Sequence, residues 1–300
     1  MIIPGSKSAG NNIDVYLQPL IDELIVLWED GAETYDAATK QNFQLYACLL
    51  STINDYPVYV MLSGWSIKGK LACRYCHRHT YFLWLKYGRK HCYMGHRRFL
   101  SRNHKWRRNK CLFNNKTDNR EAPVALTGEE VVQQLDSIEH APCGRSNKRK
   151  RPETDIWHNW RKKSVFFQLP YWRHLLVRHN LDVMHIEKNI CDSIVGTLLE
   201  MDGKSKDGTK ARLDLEDLKI RKDQHAKPAG KHNCTMKKGL YALKKEEKMM
   251  LLRFLQSIRM PDGYASHIKR CVVLEQCKFS GLKSHDCHVI LQKQIGRAHV

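Results

Sequence analysis

Residues 51–65, "STINDYPVYVMLSGW", form the junction whose reading decides the fold. Upstream of it the pattern is helical. In residues 12–28, "NIDVYLQPLIDELIVLW", Leu17, Leu20, Ile21, Leu24 and Trp28 recur at helical spacing, with Pro19 expected in the first turn. Residues 38–50, "ATKQNFQLYACLL", give a second helix candidate. At the junction the period changes: Val58, Tyr59, Val60 and Met61 favour a strand, and "SGW" reads as a turn. On this reading Asp55 stands where a helix gives way to a strand. That is a reasonable place for a metal ligand, but a lone aspartate there is more often a turn or cap residue.

Downstream, the composition shifts sharply. From Tyr56 to Thr117 there is no Asp or Glu, against fifteen Lys or Arg. Within this stretch, "GRKHCYMGHRRFLSRNHKWRRNK" (88–110) interleaves Tyr93, Phe99 and Trp106 with Arg89, Lys90, Arg97, Arg98, Lys105, Arg107, Arg108 and Lys110. Cations of this density can neutralise phosphates while the aromatics stack on bases or ribose. A solvated basic face or a nuclear localisation signal is the plainer reading. Residues 140–155 read as a flexible loop, and "SVFFQLPYW" (164–172) as a short buried segment. Residues 181–201, "LDVMHIEKNICDSIVGTLLEM", make the best helix. Val183, Ile186, Ile190, Ile194 and Leu198 line one side, and Asp182, His185, Asn189 and Asp192 fall near another. Residues 202–238 read as a charged loop. Residues 240–258 read as a helix with Leu240, Leu243, Leu251, Phe254 and Leu255 on its apolar side. The closing "VILQKQIGRAHV" reads as mid-helix. The pattern predicts an α+β chain, predominantly helical, with a large helical insertion in a mixed fold.

The chain has 300 residues, 42% of them hydrophobic, enough for at least one good core. A formal charge of +20 favours a polyanionic partner, nucleic acid first, with an acidic protein or an anionic membrane surface also fitting. The apolar runs, about four to six residues long, are too short to span a bilayer. Eleven cysteines without dense regular spacing argue for reduced thiols rather than a disulfide scaffold. There is no Gly-rich phosphate cradle, no H-E-x-x-H and no G-x-S-x-G, which removes several enzyme classes.

Cys73 and Cys76 in "LACRYCHRH" have the C-x2-C spacing that fills two corners of a zinc tetrahedron from one tight turn. The same spacing serves redox pairs, and chance pairing is common in a chain this rich in Cys and His. A zinc knuckle needs two more ligands. His77, His79, His91, Cys92 and His96 are near in sequence, and "GLKSHDCHVIL" offers His285, Cys287 and His288 far downstream. Spacing alone favours local closure.

Several long runs carry a resemblance. "NNIDVYLQPLIDEL", "TINDYPVYVMLSGWSIKGKLACRYC", "GRKHCYMGHRRFL", "YWRHLLVRHNLDVMHIEKNICDSIVGTLL", "PDGYASHIKRCV" and "GLKSHDCHVILQ" are similar to the transposase of plant CACTA (En/Spm-like) DNA transposons. That resemblance implies an RNase H-like core with a DDE/D triad, its second and third acids separated by a largely helical, zinc-braced insertion. Asp55 matches the second acid, which would bind catalytic Mg2+ or Mn2+. Asp182 and His185 match a D-x2-H signature of the insertion. In the related V(D)J recombinase core the C-x2-C is completed by two distant histidines, so Cys73, Cys76, His285 and His288 become the implied ligands of a structural Zn2+.

On this reading residues 1–70 are part of the catalytic core, 71–290 the knuckle and helical insertion, and 291–300 lead back into the core. The first and third acids would lie outside this chain, so a central fragment inactive by itself is expected. The implied partner is DNA, at transposon ends and target. Homo-oligomerisation when intact, a nuclear location and no membrane association complete the expectation. A domesticated or degenerate DNA-binding or structural protein without catalysis is the alternative.

Overall fold

The computed structural model describes residues 12–113, 115–138, 158–229, 233–235, 237–239, 241–259, 263 and 267–295. In chain order these form helix α1 (Ile13–Glu29), strands β1 (Ala32–Asp36), β2 (Gln41–Leu45) and β3 (Thr52–Asn54), and helix α2 (Tyr56–Ser63). Strands β4 (Leu83–Leu85) and β5 (Lys90–Cys92) follow, then helices α3 (Lys105–Arg108) and α4 (Gly128–Asp136) and strand β6 (His179–Leu181). Helices α5 (Val183–Leu198) and α6 (Thr209–Asp217) precede strands β7 (Lys227–Ala229) and β8 (Asn233–Thr235). Helices α7 (Lys245–Ser257) and α8 (Ile268–Cys271), strands β9 (Val272–Val273) and β10 (Lys278–Phe279) and helix α9 (Ser284–Val289) complete the order, with a π-helical extension at Ile290–Ile295. Among the described residues the structure is mixed α/β, about 44% helical, and its sheets are all two-stranded. The loop expected at 140–155 lies outside the described residues.

Two compact units emerge. One comprises Met1–Phe82, Tyr93–Gly95 and Glu121–Leu181; the other comprises Leu83–Cys92, His96–Arg120 and Asp182–Val300.

In the first unit the junction runs opposite to its sequence reading. Residues 41–45 are strand, not helix, paired antiparallel with β1 from Ala32↔Leu45 to Asp36↔Gln41. Asp36 enforces the reversal: its carboxylate accepts from the Ala38 N–H at 2.9 Å and the Thr39 hydroxyl at 2.7 Å. Residues 56–63, read as a strand, are helix α2. The β-branched residues there cost at most about 0.7 kcal/mol each in helix propensity. The Asp55 cap contributes about 1 kcal/mol, and burying Tyr59 and Leu62 about 1.5–3 kcal/mol apiece. Capping and burial therefore win over local preference. Helix α1 forms as expected, but Pro19 lies inside it rather than in its first turn. The carbonyl that Pro19 leaves without an N–H partner belongs to Val15, a residue 65% exposed.

Helix α1 contributes Ile21 to one core patch, with Leu62 of α2 and Val165, Phe166, Leu169, Tyr171 and Trp172. The buried reading of 164–172 holds, as two short 3-10 turns. Leu20 and Trp28, expected on the same face as Ile21, are exposed. A second patch gathers Tyr59, Trp65, Leu71, Val131, Leu135 and Trp160. Trp65 and Trp160 meet edge to face at 4.8 Å, flanked by the backbone bonds Ser66 N–H to Asn159 O (3.0 Å) and Arg161 N–H to Gly64 O (2.8 Å). Gly64 ends α2 in the left-handed region, φ +78°.

In the second unit α5 buries Cys191, Val195 and Leu199 against Leu252 and Leu255 of α7, Ile268 and Cys271 of α8, and Cys287 and Val289 of α9. Of the apolar stripe read along one side of this helix, Val183, Ile190 and Ile194 are exposed and Ile186 and Leu198 half-buried. Helix α7 starts at Lys245, with Phe254 exposed and Leu252 at its core. Residues 202–238 are not simply a loop. Helix α6 forms there, and its buried Arg212 donates to Asp207 Oδ2 at 2.6 Å and to the Gln224 carbonyl at 2.9 Å. Nine of the cysteines among the described residues are free thiols. Among the described residues, no helix is long and apolar enough to cross a membrane.

Candidate nucleic-acid and metal sites

Strand β3 pairs parallel with β6, Thr52↔His179 through Asn54↔Leu181. The register is pinned by Thr52 Oγ1 and His179 Nδ1 at 2.7 Å. Burial, reinforced by the charges of Arg178, Arg74 and Lys162, drives the His179 pKa down to about 3, so its imidazole is neutral at pH 7. Asp55 follows β3 directly and caps α2, accepting from the Val58 N–H at 2.9 Å, with Pro57 in the first turn. The cap reading of Asp55 is thus correct, at a strand-to-helix step rather than the helix-to-strand step expected. Asp182 follows β6 directly and caps α5 through the Met184 N–H at 2.9 Å. Its second oxygen lies 3.7 Å from His185 Nδ1, so the D-x2-H pair is brought together.

Replacing Asp55 separates its two possible jobs. Asp55→Ala removes the cap and is expected to cost about 1 kcal/mol, whereas Asp55→Asn keeps a capping oxygen and costs only a few tenths. Thermal unfolding reads the difference; equal losses would rule out the cap as the stabilising interaction.

Cys73 and Cys76 occupy one tight turn. The Cys76 N–H approaches Cys73 Sγ at 3.4 Å and the His77 N–H donates to the Cys73 carbonyl at 3.0 Å. A tight turn with a backbone N–H aimed at a cysteine sulfur is compatible with a zinc knuckle. His77 is packed into the core, its ring 4.3 Å from that of Trp65, and burial pulls its pKa down to about 4. His79 stays in the same unit, while His91, Cys92 and His96 belong to the other. So do His285 and His288, one turn apart on α9. Asp286 and Cys287 between them point inward; His285 is exposed and His288 half-buried, which suits a ligand pair. Among the described residues no group of three His, Cys, Asp or Glu side chains is arranged to hold a metal ion.

The basic stretch divides into two kinds of cation. Residues 96–120 contribute nothing to the hydrophobic clusters, so their carbonyls need other donors. Arg107, 4% exposed, donates to the carbonyls of Asp118 and Leu100, each at 2.8 Å, and to those of Arg98 and Arg120. Arg97 donates to the carbonyls of Trp106, Asn109 and Lys116 at 3.0–3.2 Å and stacks on Phe113. Arg98 is buried too. These three shape the loop. Arg89, Lys90, Lys105, Arg108 and Lys110 are exposed, alongside Trp84, Phe99 and Trp106. Buried Asp214, which sequence reasoning missed, accepts from the Tyr87 and Gly88 N–H groups at 2.8 and 2.9 Å. It thereby fixes the β4–β5 turn that carries Arg89.

No curated protein and no solved structure matches the chain. The family model described as "Transposase family tnp2" matches residues 1–138, a span holding Asp55, the Cys73–Cys76 turn and the whole basic stretch. Over those residues the chain is similar to the tnp2 transposase family, the CACTA (En/Spm-like) transposases.

Proposed function

We propose that the chain belongs to a DDE/D-type cut-and-paste transposase in which Asp55 is one of the metal-binding acids. The observation that carries this reading is the position of Asp55 directly beyond the C-terminal end of a parallel strand, inside the span matched by the transposase family. In α/β sheets that end of a strand is where ligands are bound. Ile53, 72% exposed on β3, supports assigning β3 and β6 to a larger RNase H-like sheet, because parallel strands are normally covered on both faces. Bound by the carboxylates, Mg2+ or Mn2+ would supply an activated water for phosphodiester cleavage. Asp55 would contribute a carboxylate oxygen to that binding while keeping its hold on α2. The Cys73–Cys76 turn would supply two ligands to the structural zinc that the resemblance implies.

The exposed cations, with Trp84 and Trp106 beside them in sequence, would position DNA through its phosphates, largely without reading sequence. Binding of a mixed-sequence duplex should therefore fall steeply with salt. Each phosphate that a variant no longer neutralises lowers the log–log salt slope by about 0.9. The triple variant K105A/R108A/K110A is expected to lower it by about 2–3, with little change between duplex sequences. Binding indifferent to salt, or a triple variant with an unchanged slope, would remove this surface from the DNA path.

A further inference from the structure

The β4–β5 hairpin carries a tryptophan that lies outside the hydrophobic clusters. Its register pairs Trp84 with His91, so these two share one face, while Leu83, Leu85 and Cys92 share the other. Burial follows that alternation: Leu83 and Leu85 are half-buried and Trp84 is 54% exposed. The His91 ring meets that of Trp84 at 4.9 Å, steeply tilted, so part of the indole's rotamer freedom is restricted before any ligand arrives.

Residues 86–89 form the tip. Tyr87 is exposed there, and Lys86 Nζ lies 5.5 Å from its ring centroid. The buried Asp214 holds this tip through its two oxygens, one on the Tyr87 N–H and one on the Gly88 N–H. Gly88 admits that approach, because a Cβ there would stand 2.9 Å from Asp214 Oδ2. The hairpin itself has no Asp or Glu, and Lys86, Arg89 and Lys90 are exposed. A fixed turn thus joins two open aromatic rings to three cations.

The cations alone suit any phosphate chain. The aromatics narrow the choice. In a duplex the face of each base is covered by its neighbours, whereas an unpaired base offers that face for stacking on an aromatic ring. We propose that the β4–β5 hairpin is a docking surface for single-stranded DNA. Trp84 and Tyr87 stack on unpaired bases, and Lys86, Arg89 and Lys90 meet the adjoining phosphates. The inference rests on the reading of the chain as DNA-binding, and it adds the strand state that this surface takes.

The test uses the full chain with labelled oligo-dT and a mixed-sequence duplex of equal length, read by fluorescence anisotropy. Trp84→Ala should weaken oligo-dT binding about 5–150-fold, the range for losing one stacked base, and leave duplex binding nearly unchanged. Trp84→Phe keeps a ring and should retain most of the affinity, which guards against a folding artefact. The triple variant K86A/R89A/K90A should lower the log–log salt slope on oligo-dT by about 2. Unchanged oligo-dT binding in Trp84→Ala, or an equal loss on both DNA forms, overturns the proposal while leaving DNA binding intact. Oligo-U bound more tightly than oligo-dT, with the same loss in Trp84→Ala, would assign the surface to RNA and overturn the proposal. A parent chain that binds neither DNA form overturns the DNA reading, and this proposal with it.

Discussion

Gly64→Ala should destabilise the first unit by at least about 4 kcal/mol, among the largest effects a single methyl group can have. Two costs combine. The backbone at Gly64 has φ +78°, where an L side chain costs about 1–2 kcal/mol. A Cβ there would also sit 2.2 Å from the Lys162 carbonyl oxygen, which belongs to backbone and cannot swing aside. Residues 159–162 would have to retreat. That breaks the paired backbone bonds at Gly64 and Ser66 and opens the Trp65–Trp160 stack, whose members are 1% and 5% exposed. Gly69→Ala is the control: φ is +87° but nothing lies within 4 Å of its Cβ, so only the backbone cost of about 1–2 kcal/mol applies. Urea unfolding of the pair isolates the collision. Equal losses would mean that residues 159–162 yield freely.

Arg107→Ala and Arg108→Ala should differ by several kcal/mol although the residues are neighbours. Arg107 supplies charged hydrogen bonds to four main-chain carbonyls, and such bonds contribute about 1.5–3 kcal/mol each where measured singly. They are not additive, because the freed carbonyls recover some water, so about 3–5 kcal/mol is the expected loss. Arg108 is exposed, and its removal should stay within about 0.5 kcal/mol. Hydrogen exchange across residues 96–120 adds a local readout: Arg107→Ala should release protection there, and Arg108→Ala should not. An Arg107→Ala protein as stable and as protected as the parent would remove the carbonyl network from the account of this loop.

These two arginines also mark the limit of what the amino-acid pattern conveys. In "HKWRRNK" both are simply basic residues beside a tryptophan. Which one turns inward depends on carbonyls contributed by residues 98, 100, 118 and 120, and no local periodicity encodes that. Helices α1 and α5 are legible, because apolar residues recur at helical spacing in both. The buried face of α5 is not: Val183, Ile190 and Ile194 are as apolar as Cys191, Val195 and Leu199, and only the partners α7, α8 and α9 choose between the stripes. The junction at 51–65 misleads for a different reason. Its strand-forming residues dominate the local pattern, whereas the Asp-x-Pro start of a helix, spelled out at Asp55 and Pro57, is the signal that decides it. The Asp182–His185 pair is visible from its i, i+3 spacing. The contact between Glu187 and His288 is not, since the two lie 101 residues apart.

The cap on α2 bears on how decaying copies of such an element would diverge. A copy released from cutting DNA but still required to fold would keep a hydrogen-bond acceptor at position 55, and Asn and Ser serve a helix start about as well as Asp, with Thr somewhat behind. Asparagine cannot replace the anionic oxygen that a catalytic cation needs. Under the proposed role of Asp55 as a metal-binding acid, drift from Asp to Asn, Ser or Thr at this one position would therefore date the loss of chemistry separately from the loss of fold. An aspartate that persists there, taken alone, reports only that the helix still begins where it should.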